Sequence, residues 1–199
     1  MHSNKGNRGA RAGALRIVGG KYRGRQLRVP ARPGLRPTPD RVRETLFNWL
    51  GQDLAGLACL DLFAGSGALG FEAASRGAAR VVLVEKDRVA LAELERSRSE
   101  LDAAQVAIVR DDAAAYLARE RERFDVVFLD PPFRQNVLPA VLAQLPPRLE
   151  LRARVYVESD APLEIVPPWS ELKRARAGQV SYQLLRWDGH DQSGIPGNV

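Results

Sequence analysis

Two short clusters in this sequence carry the residue types of a reaction site. The first is Asp61-Leu62-Phe63-Ala64-Gly65-Ser66-Gly67-Ala68-Leu69-Gly70. Gly65, Gly67 and Gly70 keep a G-x-G-x-x-G spacing after an apolar run and before a helical one. Glycines there permit a tight turn and a close approach of the main chain to a ligand. Glu85 ends the next apolar run, where an acid can accept ribose hydroxyls. These features suit a nicotinamide dinucleotide and S-adenosylmethionine alike. Asp61 discriminates between them. A carboxylate at the end of the first run would repel a pyrophosphate, whereas a ligand bearing an ammonium and a sulfonium favours it. Asp112, after the third apolar run, can accept from an adenine amino group. The competing readings are a turn-capping role for Asp61 and helix capping for Asp111 or Asp112.

The second cluster is Asp130-Pro131-Pro132-Phe133, directly after Val126–Leu129. An exocyclic amine on a base is a poor nucleophile because its lone pair is delocalised into the ring. A carboxylate and a rigid main-chain carbonyl can accept its two N–H bonds and aim the lone pair at an electrophilic methyl group. Prolines preorganise those acceptors, and an adjacent aromatic ring can stack on a flipped base. The alternative reading, a simple strand-ending turn, is disfavoured by the glycine loop in the same chain.

The elements around these clusters alternate. Apolar runs at 58–63, 80–84, 105–109, 124–129 and 154–157 are separated by helical stretches near 68–76, 87–101, 112–120 and 136–145. Near-continuous apolar strands between helices imply a parallel sheet covered on both faces. The predicted fold is α/β, Rossmann-like, with a mostly parallel seven-stranded sheet. Runs at 171–177 and 179–186, joined at Gly178, predict an antiparallel hairpin at the sheet edge. Upstream, Leu15–Val18 and Tyr22–Val29 flank Gly19-Gly20 and predict a small hairpin. Prolines 30, 33, 37 and 39 mark an extended linker. Asp40 is the predicted N-cap of a helix over 41–50. The expected organisation is a disordered basic arm over 1–14, a hairpin and helix over 15–50, a catalytic domain over 51–188 and a flexible tail over 189–199.

The chain has 199 residues and a net charge of +6, enough for a self-sufficient core. The charge is uneven. Residues 1–50 hold 12 of the 30 Lys and Arg and only Asp40 and Glu44 as acids, while the remainder is mildly acidic. A basic segment on an acidic body implies a polyanionic partner. A single cysteine, Cys59, rules out an internal disulfide framework and reads as a core residue. Two histidines near the termini make a zinc site or a Ser-His-Asp triad implausible. No apolar run is long enough to span a membrane, and no secretory signal is evident. The expected location is the cytoplasm. Trp49, Trp169 and Trp187 read as packing residues, with Trp49 a candidate for closing the cofactor site.

LDLFAGSGALGFEAASRGA with DPPF resembles class I S-adenosylmethionine-dependent methyltransferases that act on amines. IVGGKYRGRQLRVPARPGLRPTPDRVRETLFNWL and AGQVSYQLLRW resemble a narrower family, the bacterial small-subunit ribosomal RNA guanine-N2 methyltransferases, over about residues 15–187. This resemblance implies methylation of the exocyclic N2 of one guanine in 16S rRNA within a small-subunit particle, with no metal. It places Asp61, Phe63, Ala64, Gly65, Ser66 and Gly67 at the methionine end of the cofactor. Glu85 and Lys86 fall near ribose, and Asp112 and Ala113 near adenine. Thr38 and Arg41, in the segment Arg36–Glu44, belong to an element closing over the cofactor. Asp130, Pro131, Pro132 and Phe133 handle the target base.

Several rivals are weighed against that reading. An adenine-N6 or cytosine-N4 methyltransferase would use the same tetrad, but the chain lacks a separate target-recognition domain. A nicotinamide-dependent oxidoreductase conflicts with Asp61 and with the DPPF tetrad. A non-catalytic assembly factor has no need of that tetrad. Because the catalytic half is acidic, RNA binding is assigned to the hairpin residues Arg16, Lys21, Arg23, Arg25 and Arg28. Small size implies a monomer.

Overall fold

The structure is a computed structural model describing residues 13–29, 38–132 and 136–189. A two-stranded antiparallel ribbon, Gly13–Arg16 (β1) with Gln26–Val29 (β2), precedes a helix, Asp40–Leu50 (α1). The chain then alternates: Ala58–Asp61 (β3), Ala68–Ser75 (α2), Arg80–Glu85 (β4), Arg88–Leu101 (α3), Val106–Arg110 (β5), Ala113–Arg119 (α4), Phe124–Leu129 (β6) and Leu138–Gln144 (α5). It ends with Leu149–Ser159 (β7), Trp169–Ala177 (β8) and Val180–Trp187 (β9).

Strands β3 to β9 form one seven-stranded sheet in the order β5-β4-β3-β6-β7-β9-β8. The first five in that order are parallel, and β9 and β8 add as the antiparallel edge hairpin. The fold is the Rossmann-like arrangement expected from the alternating apolar runs. Each strand sends alternate residues to opposite layers. Cys59, Val81, Leu83, Val126, Phe128 and Tyr156 pack with α1, α2 and α3, whereas Leu60, Val82, Val84, Val127, Leu129 and Val155 pack with α4 and α5. Cys59 is fully buried, and burial pushes its thiol up to about 12, which makes it an inert core residue.

The sheet is wound outward from β3 through β4 to β5 and returns to β6 on the other side of β3. The carboxyl ends of β3 and β6 therefore flank the point where strand order reverses. Ligands of open α/β sheets bind in the crevice at such a point.

The amino-terminal elements differ from expectation in two ways. The ribbon does not turn at Gly19-Gly20. Strand β1 begins and ends two residues earlier than predicted, β2 is half the predicted length, and the two are joined by a loop over 17–25, closed by Ile17 N–H to Arg25 O and Gly24 N–H to Ile17 O at 2.9 Å each. Gly19 and Gly20 instead lie against α2. A Cβ on Gly20 would sit 1.9 Å from the Ser75 carbonyl oxygen, and its φ of +75° is itself glycine-favouring. The second difference concerns Asp40, which does not cap α1. Pro39 occupies the cap position without a side-chain bond, and Asp40 lies in the first turn, paired with Arg43 at 2.7 Å. Gly13 and Ala14, expected in a disordered arm, lie in β1. Residues 1–12, the linker over 30–37 and the tail from 190 fall outside the described residues.

The ribbon and α1 share the core of the α/β body. Leu15, Ile17, Tyr22, Leu27, Leu46 and Phe47 belong to one apolar cluster with Phe71, Leu94 and Phe128. Tryptophans pack as expected: Trp49 stacks on Tyr182 and Trp169 meets Trp187 edge-on.

Candidate active site

Asp61 ends β3 on the crevice. Its Oδ2 accepts from Gly70 N–H at 3.2 Å, and the main chain of Phe63 also donates to it. Burial pushes its carboxyl up to about 7; the two N–H donors oppose this, and the Glu85 charge adds to it. The chain then crosses the sheet mouth. Leu62 N–H donates to Phe128 O of β6 at 3.2 Å, and Ala64 N–H donates to Val84 O of β4 at 3.0 Å. The loop is thus anchored to the strands on both sides of β3. Gly67 is left-handed, with φ of +76°, and precedes α2. A Cβ there would lie 2.5 Å from Phe71 and 2.7 Å from Leu94, so glycine is required by both backbone and packing. Ala64 and Ser66 are buried, and Phe63 and Gly65 half-buried.

Glu85, at the end of β4, braces this loop. Its Oε2 accepts from Gly65 N–H at 2.9 Å, and its Oε1 accepts from the N–H groups of Lys86 and Asp87 at 2.9 and 2.8 Å. A carboxylate has about four acceptor sites, so Glu85 is oriented by its own chain and keeps capacity for a further donor. Asp112 is the N-cap of α4, accepting from Ala114 N–H at 3.1 Å. Its Oδ2 also lies 3.3 Å from Lys86 Nζ. The capping role weighed for this position is therefore present, and Asp112 remains exposed beside the buried Ala113.

Asp130 follows β6, adjacent to Asp61 because β3 and β6 are paired at Asp61 and Phe128. Its Oδ2 lies at hydrogen-bond distance, 3.2 Å, from Thr38 Oγ1. The same hydroxyl lies 3.0 Å from Glu158 Oε1, and Tyr156 OH donates to that oxygen at 2.8 Å. Burial holds Asp130 well above the usual carboxylate range, with the charges of Glu158 and Asp61 adding to it. Glu158 is also raised by burial, against the bonds from Tyr156 and Thr38. Pro131 is buried and Pro132 exposed; Phe133 lies outside the described residues.

Thr38 thus reaches the carboxylate site from the amino-terminal side, while Arg41 is exposed on the first turn of α1. Arg36 is outside the described residues. The structure brings Thr38, Asp61, the glycine loop, Glu85 and Asp130 to one end of the sheet. Sequence reading missed Glu158 and Tyr156. The signal was present, since Glu158 is an acid near the end of an apolar strand, as Asp61 and Glu85 are. Sequence reading also missed Glu72, a fully buried acid on α2 that binds Val18 and Gly19 N–H, Arg43 and Arg76.

Among the ribbon residues assigned to RNA, Arg25 and Arg28 sit at the carboxyl end of α3, whereas Arg16 lies beside α1. Arg25 donates to Glu100 O at 2.5 Å, Arg28 pairs with Glu100 at 4.0 Å, and Arg16 pairs with Asp40 at 3.8 Å. Lys21 sits over the Tyr22 ring at 5.2 Å. Arg23 is exposed, with no side-chain partner among the described residues.

Comparison with known proteins places this architecture. The family model described as "Conserved hypothetical protein 95" matches residues 15–186. Ribosomal RNA small subunit methyltransferase D of Escherichia coli K12 is 44% identical over 92% of this chain and 94% of its own. The enzyme of the same name from Haemophilus influenzae is 41% identical over 87% of this chain and 94% of its own. The solved structure of Escherichia coli yhhF superimposes with a TM-score of 0.82 at 43% identity, covering 89% of this chain and all of that one. By both the family model and these relatives, the chain belongs to the Conserved hypothetical protein 95 family, the family of the ribosomal RNA small subunit methyltransferases D.

Proposed function

We propose that this protein transfers a methyl group from S-adenosylmethionine to the exocyclic N2 of a guanine in 16S ribosomal RNA. One observation carries the reading: Asp130 of the D-P-P segment and Asp61 of the glycine loop occupy the carboxyl ends of adjacent strands, within electrostatic reach of one another. An amine held by the first then faces a cationic ligand held by the second. The names of the relatives supply ribosomal RNA of the small subunit as the substrate class.

The donor set fits the cofactor. Asp61 is a buried carboxylate suited to an ammonium or sulfonium. The main chain of Gly65–Gly67 provides the close approach, and Glu85 is an oriented acceptor for ribose hydroxyls. Asp112 and Ala113 lie at the edge expected for adenine, with Thr38 and Arg41 on the closing side. When bound, S-adenosylmethionine supplies an electrophilic methyl on sulfur. Asp130 and the main chain at Pro131 accept the two N–H bonds of the target amine and aim its lone pair. Phe133 stacks on the base. Alignment of the reacting atoms is worth about 7–11 kcal/mol, so positioning carries most of the catalysis. The ribbon residues Arg16, Lys21, Arg23, Arg25 and Arg28 bind phosphates outside the acidic crevice, and the substrate is a small-subunit assembly particle.

The test is transfer of labelled methyl from S-adenosylmethionine to small ribosomal subunits isolated from a strain lacking this enzyme, with nuclease digestion and mass-spectrometric mapping. N2-methylguanine at one nucleotide is the expected product. Label on adenine-N6 or cytosine-N4, or label in DNA alone, overturns the assignment.

A further inference from the structure

The contacts around Thr38 carry a proton-counting argument. A threonine hydroxyl has one proton and donates one hydrogen bond. Thr38 Oγ1 nevertheless lies at hydrogen-bond distance from two carboxyl oxygens, Asp130 Oδ2 at 3.2 Å and Glu158 Oε1 at 3.0 Å. Both contacts are full two-centre bonds only if one carboxyl group is protonated and donates to Thr38, since a single O–H shared by two carboxylates gives two weaker bonds. Glu158 Oε1 already receives Tyr156 OH at 2.8 Å. With two hydroxyl donors converging on it, Glu158 is the better-stabilised anion, because hydrogen bonds to the charged form favour that form. The shared proton then sits on Asp130. The chain runs from Asp130 O–H to Thr38, from Thr38 O–H to Glu158, and from Tyr156 O–H to Glu158.

Methyl transfer to an amine leaves a proton to remove. As the N–CH3 bond forms and the S–CH3 bond breaks, the nitrogen becomes cationic and its N–H acidic. Asp130 Oδ1 is the acceptor aimed at that N–H. Resting on the function proposed above, we propose that Thr38 and Glu158 form the exit path for this proton. The amine N–H proton passes to Asp130 Oδ1 and the proton on Asp130 Oδ2 passes to Thr38 Oγ1. The Thr38 proton then passes to Glu158 Oε1. Asp130 ends as the neutral acid it was, the methylated amine is neutral, and Glu158 has gained one proton. In this scheme Thr38 and Glu158 act on the amine through Asp130 and are positioning residues for that step. The groups facing the pair are Asp61 from β3 and Tyr156 from β7, with Tyr182 of β9 opposite Glu158 in the strand register.

The scheme fixes a pH signature. Protonating Glu158 beforehand fills the terminal acceptor, so the transfer rate falls on the acid side. Glu158→Gln cannot take up the proton and should lose that acid limb, with a single-turnover rate reduced by about tenfold or more. Thr38→Val keeps the shape of the side chain but breaks the path, and should slow transfer similarly. Thr38→Ser restores the hydroxyl and should recover most of the rate. Thermal unfolding and S-adenosylhomocysteine binding, measured on each variant, verify folding. A Glu158→Gln protein with the wild-type rate and an unchanged acid limb overturns the path, as does Thr38→Ser impaired to the level of Thr38→Val. If Asp130→Ala is inactive while Glu158→Gln and Thr38→Val are both fast, the site assignment stands and the path falls. A wild-type protein that methylates no ribosomal substrate removes both.

Discussion

Arg43 and Glu72 lie 3.4 Å apart with neither side chain exposed to solvent. Glu72 is the hub of the amino-terminal interface. Its carboxylate also accepts from Val18 and Gly19 N–H at 2.8 Å each and from Arg76 Nε at 2.9 Å. Arg43 in turn donates to Arg16 O at 2.6 Å and to Asp40 at 2.7 Å. One acid on α2, directly behind the glycine loop, thus holds the ribbon and α1 against the catalytic body.

Removing one partner of a buried ion pair leaves the other uncompensated and costs about 3–5 kcal/mol. Glu72→Ala removes the buried carboxylate shared by Arg43 and Arg76 and leaves the Val18 and Gly19 N–H groups without their acceptor, and should reach that range in urea unfolding although Arg43 keeps Asp40 and Arg16 O. Arg43→Met should cost less, since Glu72 keeps Arg76 and both main-chain donors. Equal losses for the two would mean that Glu72 is not the hub. Limited proteolysis should also cut within residues 17–25 of Glu72→Ala sooner than in the wild type.

Asp130→Ala should abolish methyl transfer while leaving S-adenosylmethionine affinity within about twofold, because the proposed function sets Asp130 against the amine and Asp61 against the cofactor. General acid–base and positioning losses of this type are about 10²–10⁴-fold. Calorimetric titration of the cofactor with parallel single-turnover assays separates the two quantities. A near-normal rate would remove Asp130 from the reaction.

Asp61 is held up at about 7 by burial. In the free protein, the stabilisation gained by keeping its proton is complete below the ordinary carboxylate range near ~4 and is lost as pH rises through about 7. A cationic ligand selects the ionised form. Between pH 6 and pH 8 that form rises from about one tenth to about nine tenths, so the contribution of Asp61 to cofactor affinity should grow about tenfold. The measurement is the ratio of wild-type to Asp61→Asn affinity across that range, which cancels titration of the cofactor's own amine. A ratio independent of pH would exclude the interaction.

Among the described residues, Lys21 and Arg23 are the ribbon cations with neither an ion pair nor a side-chain hydrogen bond, whereas Arg16, Arg25 and Arg28 each have one. Each phosphate contact contributes a slope of about −0.7 to −0.9 in log K against log salt. Lys21→Ala/Arg23→Ala should weaken RNA binding and flatten that slope by about 1–2, without altering cofactor affinity. An unchanged slope would assign RNA binding to another surface.

Much of the sheet was legible because buried parallel strands are near-continuous apolar runs, as in Val81–Val84 and Val126–Leu129. Glycine spacing and the D-P-P segment marked the crevice, since both motifs are local and act through main-chain geometry. Two readings failed where a distant partner outbid the local one. Asp40 has the residue type of an N-cap, but buried Arg43 offers it a charged donor. Gly19-Gly20 looks like a hairpin turn, but Glu72 takes the Gly19 N–H and Ser75 approaches Gly20 too closely for any side chain.

By itself the sequence determined the alternating fold, the glycine loop, the acids at strand ends and the basic segment at one end. Each depends on neighbours within a few residues, where periodicity and backbone preference act. Only the tertiary structure decided that Thr38, 92 residues before Asp130, shares its hydroxyl between Asp130 and Glu158. It alone decided that Glu72 carries the ribbon and α1. Both facts concern buried polar groups, whose stability depends on partners brought together by packing across the chain.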